Sequence, residues 1–324
     1  MIFLLIVGEV FVENEDLVWL SFARQLTHSF GTSYWPYARI YTPFVNFSAL
    51  RADLQHTVTV LDGGLATSLE ALGHDLSGAL WSARLLHDQP DAISEVHQNH
   101  ITAGARIVTT ASYQVSRSGF LSNGRTESQA DAAIVQSVEL ARAVADAHTD
   151  RTGERVLVAG SMGAYGATLA DGSEYRGDYQ ISESALTEFH RERLLSMTQA
   201  APDLLAFETI PSLLEVRVIN QLLSTEYTQI PAWISCSAAD ATSIADGAPV
   251  STVLDGITAD CIVAFGFNCI APELATPLLQ SIVTQRPELP RIVYTNSGRT
   301  WDALNRMWLD EGTDHVAEIG RAHV

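Results

Sequence analysis

Seven short apolar runs, separated by stretches with helical periodicity, constrain this chain more than any other feature. They cover residues 58–61, 106–110, 156–159, 204–207, 232–236, 262–265 and 292–294. Each is nearly continuous in hydrophobic and β-branched residues, the pattern of parallel strands covered on both faces. Between the second and third runs, Ala130, Ile134, Val138, Ala141 and Ala145 recur at the spacing of one helix face. Ser212 and Glu215, just after Pro211, form a capping-box signature ahead of Leu214, Val218 and Leu222. Strand and helix in repeated alternation predict an α/β fold, either an open doubly wound sheet or a closed barrel.

The polar residues separate these two architectures. Asp62, Ser112, Ser161, Glu208, Ser237, Asn268 and Asn296 all fall at or just beyond the carboxyl ends of the runs. In a (β/α)8 barrel such positions converge on one mouth, whereas in an open sheet only those near the switch point meet. No run is followed by a dinucleotide-type glycine fingerprint. The expected fold is a (β/α)8 TIM-type barrel spanning residues 56–317, with its eighth strand missing from this chain. A helical stretch is expected around residues 301–309. Residues 1–55 lack the rhythm and are expected to form an extension outside the domain. Residues 318–324 back-translate to a string resembling a sequencing-library adapter, so they are expected to be a non-native tail.

Charge and cysteine usage exclude several classes. The formal net charge is −19, which argues against nucleic acid and anionic membrane surfaces as partners. All 19 basic residues are arginines. With no lysine, the chain cannot form a Schiff base, bind pyridoxal phosphate covalently, or complete a Walker-A loop. Three cysteines are too few for a disulfide-stapled secreted domain, and a reducing, cytoplasmic compartment is expected. The apolar start, residues 1–12, is interrupted by Glu9 and is too short to span a bilayer.

Four motifs carry candidate chemistry. Asp62 follows the first run and precedes Gly63 and Gly64, which let a ligand's ammonium approach closely; a plain capped turn explains the same pattern equally well. Glu208 ends the fourth run, where an acid has few structural duties. Cys269, after Gly266, Phe267 and Asn268, reads either as a small buried hydrophobe or as one thiolate of a metal site. Cys236 lies at the same end of the barrel and Cys261 at the opposite one, so spacing alone supports a metal site weakly. The fourth motif is a long loop over residues 160–179 with Tyr165, Tyr175 and Tyr179 among Asp171, Glu174 and Asp178. Long loops of this kind serve as lids, and tyrosines with acids suit a cationic, partly apolar ligand.

Together these residues resemble the homocysteine S-methyltransferase family. The resemblance rests on Asp62-Gly63-Gly64, Leu69-Glu70, Trp81, Gly104-Ala105, Thr110 to Tyr113, Phe207 to Thr209, Gly266 to Cys269, Tyr294 to Gly298 and the Asp302 to Trp308 stretch. It covers about residues 58–317. The lid, residues 169–179, is similar to that of the branch using S-methylmethionine or S-adenosylmethionine as methyl donor. The resemblance implies that Asp62 and Glu208 hold the homocysteine amino group, with Asn268, Thr110 and Tyr113 shaping that pocket and lid residues Tyr165 and Tyr175 facing the donor. It also implies zinc, with Cys269 as the first of three cysteine ligands. The other two belong to a Gly-Gly-Cys-Cys motif on strand eight that is not among these 324 residues. Two smaller departures are Thr295 for the family's proline and Arg299 for its acid.

The implied reaction moves a methyl group from a sulfonium to the zinc-bound thiolate of homocysteine and yields methionine. The competing expectation is a homocysteine-binding fragment without zinc or catalysis. A module of a larger cobalamin- or betaine-dependent methyltransferase is a third reading, which the form of the lid disfavours.

Overall fold

The computed structural model describes residues 47–56, 58–74 and 82–296, together with the backbone of two short strands at 301–302 and 307–308. Trp81, Gly298, Arg299 and residues 318–324 lie outside the described residues. Six parallel strands pair in sequence order: β1 (Ile107–Thr109), β2 (Leu157–Gly163), β3 (Leu204–Ile210), β4 (Ala232–Cys236), β5 (Ile262–Asn268) and β6 (Arg291–Tyr294). Eleven α-helices accompany them among the described residues, from α1 (Phe47–His56) to α11 (Pro272–Gln285). The three that matter most for the site are α6 (Glu127–Thr152), α8 (Glu183–Ala200) and α9 (Leu213–Thr225). The fold is a TIM-type barrel.

Six of the seven apolar runs are the six strands. The first run contributes less than expected. Leu61 makes a single parallel bridge to Ile107, with Val60 O accepting from Arg106 N and Asp62 N donating to Ile107 O. The run thus sits at the edge of β1, and its hydrogen-bonded contact ends where Asp62 turns into the mouth. Among the described residues, no strand pairs with the outer edge of β6.

The helix-face reading of α6 holds, since Ala130, Ile134, Val138, Ala141 and Ala145 are all buried. Thr126 and Gln129 close a reciprocal capping box at its start, and Gly153 ends it in the left-handed conformation. One expectation is corrected. The stretch expected to be helical around 301–309 instead contains two strands, Trp301–Asp302 and Met307–Trp308, paired antiparallel with Trp301 opposite Trp308. Nine residues are short for an isolated helix, and bulky aromatic residues favour cross-strand pairing. Helix α1, which ends at His56, packs on the barrel. Leu54 of α1 is buried, and Arg51 donates to Asp260 O at 2.7 Å and Ile262 O at 2.9 Å, where β5 begins.

Candidate active site

The mouth of the barrel is built where the strands end. Asp62 is buried, and its carboxylate accepts from Thr109 N at 2.7 Å and from Thr109 Oγ1 at 3.1 Å. Glu208 near the end of β3 is also buried; it accepts from Ser161 Oγ and Tyr294 Oη, both at 2.5 Å. Among the described residues, neither carboxyl has a cationic partner. Burial raises both pKa values, for Asp62 well above the ordinary range, and the nearby Glu208 carboxyl adds to the rise at Asp62.

Glu208 owes its position to a bulge. Phe207 pairs with Ile234 and Ile210 with Cys236, so β3 carries one more residue than β4 between those pairs. Thr209 takes up the extra length at φ 58°, an unusual conformation for a β-branched residue. Asn268 makes this tolerable. Its Oδ1 accepts from Thr209 N at 2.7 Å, replacing the ladder bond, and its Nδ2 donates to Thr209 Oγ1 at 2.7 Å. Asn268 therefore supports the backbone beside Glu208.

Cys269, at φ 52°, follows directly. Its thiol receives Asn268 Nδ2 at 3.3 Å, lies 3.8 Å from Thr209 Oγ1, and is within electrostatic range of the Tyr175 hydroxyl. Burial pushes the thiol pKa up to about 11. Asn296 Nδ2 fixes the Cys269 carbonyl at 3.1 Å. Thr110 joins from the other side, with its Oγ1 2.7 Å from Ser112 Oγ and accepting from Ser161 N at 2.9 Å. Tyr113 packs so close to Gly163 that a Cβ there would lie 2.4 Å from the Tyr113 carbonyl. Burial raises the Tyr113 hydroxyl pKa, and the Glu174 carboxylate, the Tyr175 hydroxyl and the Cys269 thiol add to it.

The segment expected as a long loop is partly regular. Residues 160–163 belong to β2, a short helix follows at Tyr165–Leu169, and a 3-10 turn occupies Ser173–Tyr175. The structure gathers Asp62, Thr110, Tyr113, Tyr175, Glu208, Asn268 and Cys269 at the mouth. Tyr165 is placed elsewhere. Its amide donates to Glu215 Oε1 at 2.7 Å, and its ring meets Tyr179 and Phe189 edge-on at 5.3 and 5.2 Å. Ser161, Thr209 and Tyr294 complete the mouth and were not among the expected site residues, although each sits at a strand end. Arg193 had no such signal. It is buried on α8 and donates to Gly163 O at 2.6 Å and Tyr113 O at 2.9 Å, joining the ends of β2 and the β1 loop.

The cysteines test the implied zinc. A catalytic zinc site takes three protein ligands. Among the described residues, no three His, Cys, Asp or Glu side chains come together as a metal set. Cys236 is sealed in the core, and the Cys261 Sγ lies 3.5 Å from Leu223 O at the amino-terminal end of β5. The chain's three cysteines thus bring one thiol to the mouth, which does not make a zinc site.

A barrel with buried acids and a thiol at the carboxyl ends of its strands, under a tyrosine-bearing lid, defines a TIM-barrel enzyme with its site at that mouth. Within that class, the chain belongs to the homocysteine S-methyltransferase family, whose model matches residues 59–323. It is 43% identical over 274 residues to the homocysteine S-methyltransferase of Escherichia coli strain K12, covering 83% of this chain and 87% of that protein. It is 40% identical over 259 residues to homocysteine S-methyltransferase YbgG of Bacillus subtilis strain 168, covering 78% and 82% respectively. Its fold matches the metallated form of the Escherichia coli homocysteine methyltransferase MmuM with a TM-score of 0.73, at 43% identity over 79% of this chain and 90% of that one. The described residues contain no helix long and apolar enough to cross a membrane.

Proposed function

We propose that this protein transfers a methyl group from a sulfonium donor, S-methylmethionine or S-adenosylmethionine, to the thiol sulfur of L-homocysteine, giving methionine. The observation that carries the reading is the pair of buried carboxyl groups, Asp62 and Glu208, held by N–H and O–H donors with no cationic partner among the described residues. Burying a carboxylate without a counter-charge is costly, and an amino acid's ammonium group is the complementary partner. Thr109, Ser161 and Tyr294 keep the two carboxyl groups in place before the ligand arrives. Asn268 holds the bulge that aims Glu208, and Thr110 fixes Ser161 through its amide.

The acceptor reacts as its thiolate. The new S–CH3 bond forms as the donor's S–CH3 bond breaks, and the electron pair of that bond neutralises the sulfonium. Charge is lost rather than created at the reacting centre, so no oxyanion hole is needed. Lid tyrosines and acids suit the donor's positive charge before transfer. Zinc belongs to this reading through Cys269 as one ligand. Because the chain's cysteines bring no second thiol to the mouth, no step is derived through the metal.

That single thiol favours a second reading, a chain that binds homocysteine without transferring methyl. One experiment separates the two. The protein is incubated with homocysteine and a methyl-labelled donor, and labelled methionine is quantified beside a binding isotherm for homocysteine. Label in methionine supports transfer. Binding without label supports the second reading, and absence of both overturns the assignment of the carboxyl pair.

A further inference from the structure

The three lid acids differ in their surroundings. Asp171 accepts from Ser173 N at 2.9 Å and from the Ser173 hydroxyl, which shapes the turn. Asp178 is exposed and pairs with Arg176 at 3.2 Å. Glu174 is turned the other way. Its Oε2 is closed off from solvent and has no hydrogen-bond partner among the described residues. Arg176 lies within electrostatic range of it, but that guanidinium spends its hydrogen bonds on Asp171 O, Ser173 Oγ and the Asp178 carboxylate.

The turn that carries Glu174 is fixed from two sides. Ser237 Oγ, just beyond β4, donates to Glu174 O at 2.7 Å. Gly166 lies so close beneath that a Cβ there would come within 2.7 Å of Glu174 N. The next residue, Tyr175, lies within electrostatic range of the Cys269 thiol, and the Glu174 carboxylate within range of Tyr113 and Tyr175. Glu174 is therefore an acid at the thiol end of the mouth, beside Tyr113 and Tyr175. Burial pushes its pKa up to about 7.

We propose that Glu174 recognises the sulfonium centre of the methyl donor and so selects cationic over neutral methyl compounds. The proposal rests on the sulfonium-donor reading above. Two acidic sites then serve two substrates: Asp62 and Glu208 take the acceptor's ammonium, and Glu174 takes the donor's positive sulfur. In this reading the sulfonium, rather than the donor's remote groups, lies beside the Glu174–Tyr175 turn.

The test compares isotherms for each sulfonium donor and for its demethylated thioether, S-adenosylhomocysteine or methionine, in the full chain. Glu174→Gln is expected to weaken sulfonium binding at least tenfold while changing thioether and homocysteine binding less than twofold. Glu174→Asp is expected to recover part of the loss, and melting curves of both variants confirm that the lid is folded. Equal losses for sulfonium and thioether would show a structural role and overturn the proposal. So would unchanged sulfonium binding in Glu174→Gln when the wild type binds it. A wild type that binds neither sulfonium compound overturns the donor reading together with the proposal.

Discussion

Glu208 and Glu215 are both buried glutamates on neighbouring elements, one in β3 and the other in the first turn of α9. Their surroundings differ. Glu215 accepts from Tyr165 N at 2.7 Å, from Tyr179 Oη, and lies 2.8 Å from His190 Nε2, all beside the amino terminus of a helix. Glu208 has two hydroxyl donors and, among the described residues, no positive group. A carboxylate saturated by the protein is spent on structure, because nothing remains for a ligand to offer. A carboxylate that is oriented but not neutralised is built for something that arrives later. Glu215 anchors the lid, and Glu208 waits at the mouth.

The sharpest way to break this contrast is to remove each acid. Glu215→Ala is expected to cost roughly 3–5 kcal/mol of folding stability, because it leaves His190, Tyr179 and the Tyr165 amide unpaired in the interior. Glu208→Gln is expected to change stability by less than about 1 kcal/mol, since an amide still engages both hydroxyls. Urea denaturation of the two variants measures this. Comparable losses in both would erase the distinction.

Glu208→Gln and Asp62→Asn should instead weaken homocysteine binding by roughly tenfold to a hundredfold, the ~1.5–3 kcal/mol of a charge-assisted hydrogen bond. Donor affinity should move much less. An isotherm showing unchanged homocysteine affinity in both variants would remove the pair from the acceptor site.

A pH experiment sharpens the comparison further. The raised carboxyl pKa values mean that the free protein holds protons at Asp62 and Glu208 to higher pH than an unfolded chain does. Their contribution to stability is therefore present below the unfolded carboxylate pKa and is lost as pH rises through the folded values. A bound ammonium favours the ionised forms, so homocysteine should bind more tightly as pH rises through that window and should release protons. Calorimetry in buffers of different ionisation enthalpy counts those protons, and the count should fall in Glu208→Gln. The smallest effect is expected from Tyr179→Phe, about 1 kcal/mol, because Glu215 keeps its other two partners. Amide exchange across residues 165–179 should rise in that variant while the mouth residues stay protected.

Much of the fold was legible because its signals are local. Buried parallel strands write themselves as continuous apolar runs, and six of them were read in place. Asp62 and Glu208 were legible for a related reason: the barrel sends every strand end to one mouth, so an acid at a strand end is placed by topology alone. The capping signature at Ser212 and Glu215 was half right. Ser212 Oγ does accept from Glu215 N at 3.2 Å, but the Glu215 carboxylate turns away from the cap toward Tyr165, Tyr179 and His190. No local pattern announces that choice, because its partners lie 25 to 50 residues away.

The sequence by itself determined the barrel, the end at which chemistry occurs, and which acids reach it, since each follows from periodicity and the handedness of strand–helix units. The tertiary structure decided what each acid is for. It turned Tyr165 away from the mouth, gave Thr209 the extra residue of a bulge, and left Cys236 and Cys261 out of reach of Cys269. It also saturated Glu215 while leaving Glu208 without a counter-charge, and the Glu174 carboxylate with an unpartnered oxygen, among the described residues. The reason is physical: a carboxyl group's role depends on the count and charge of its neighbours, and those neighbours are assembled only when distant segments pack.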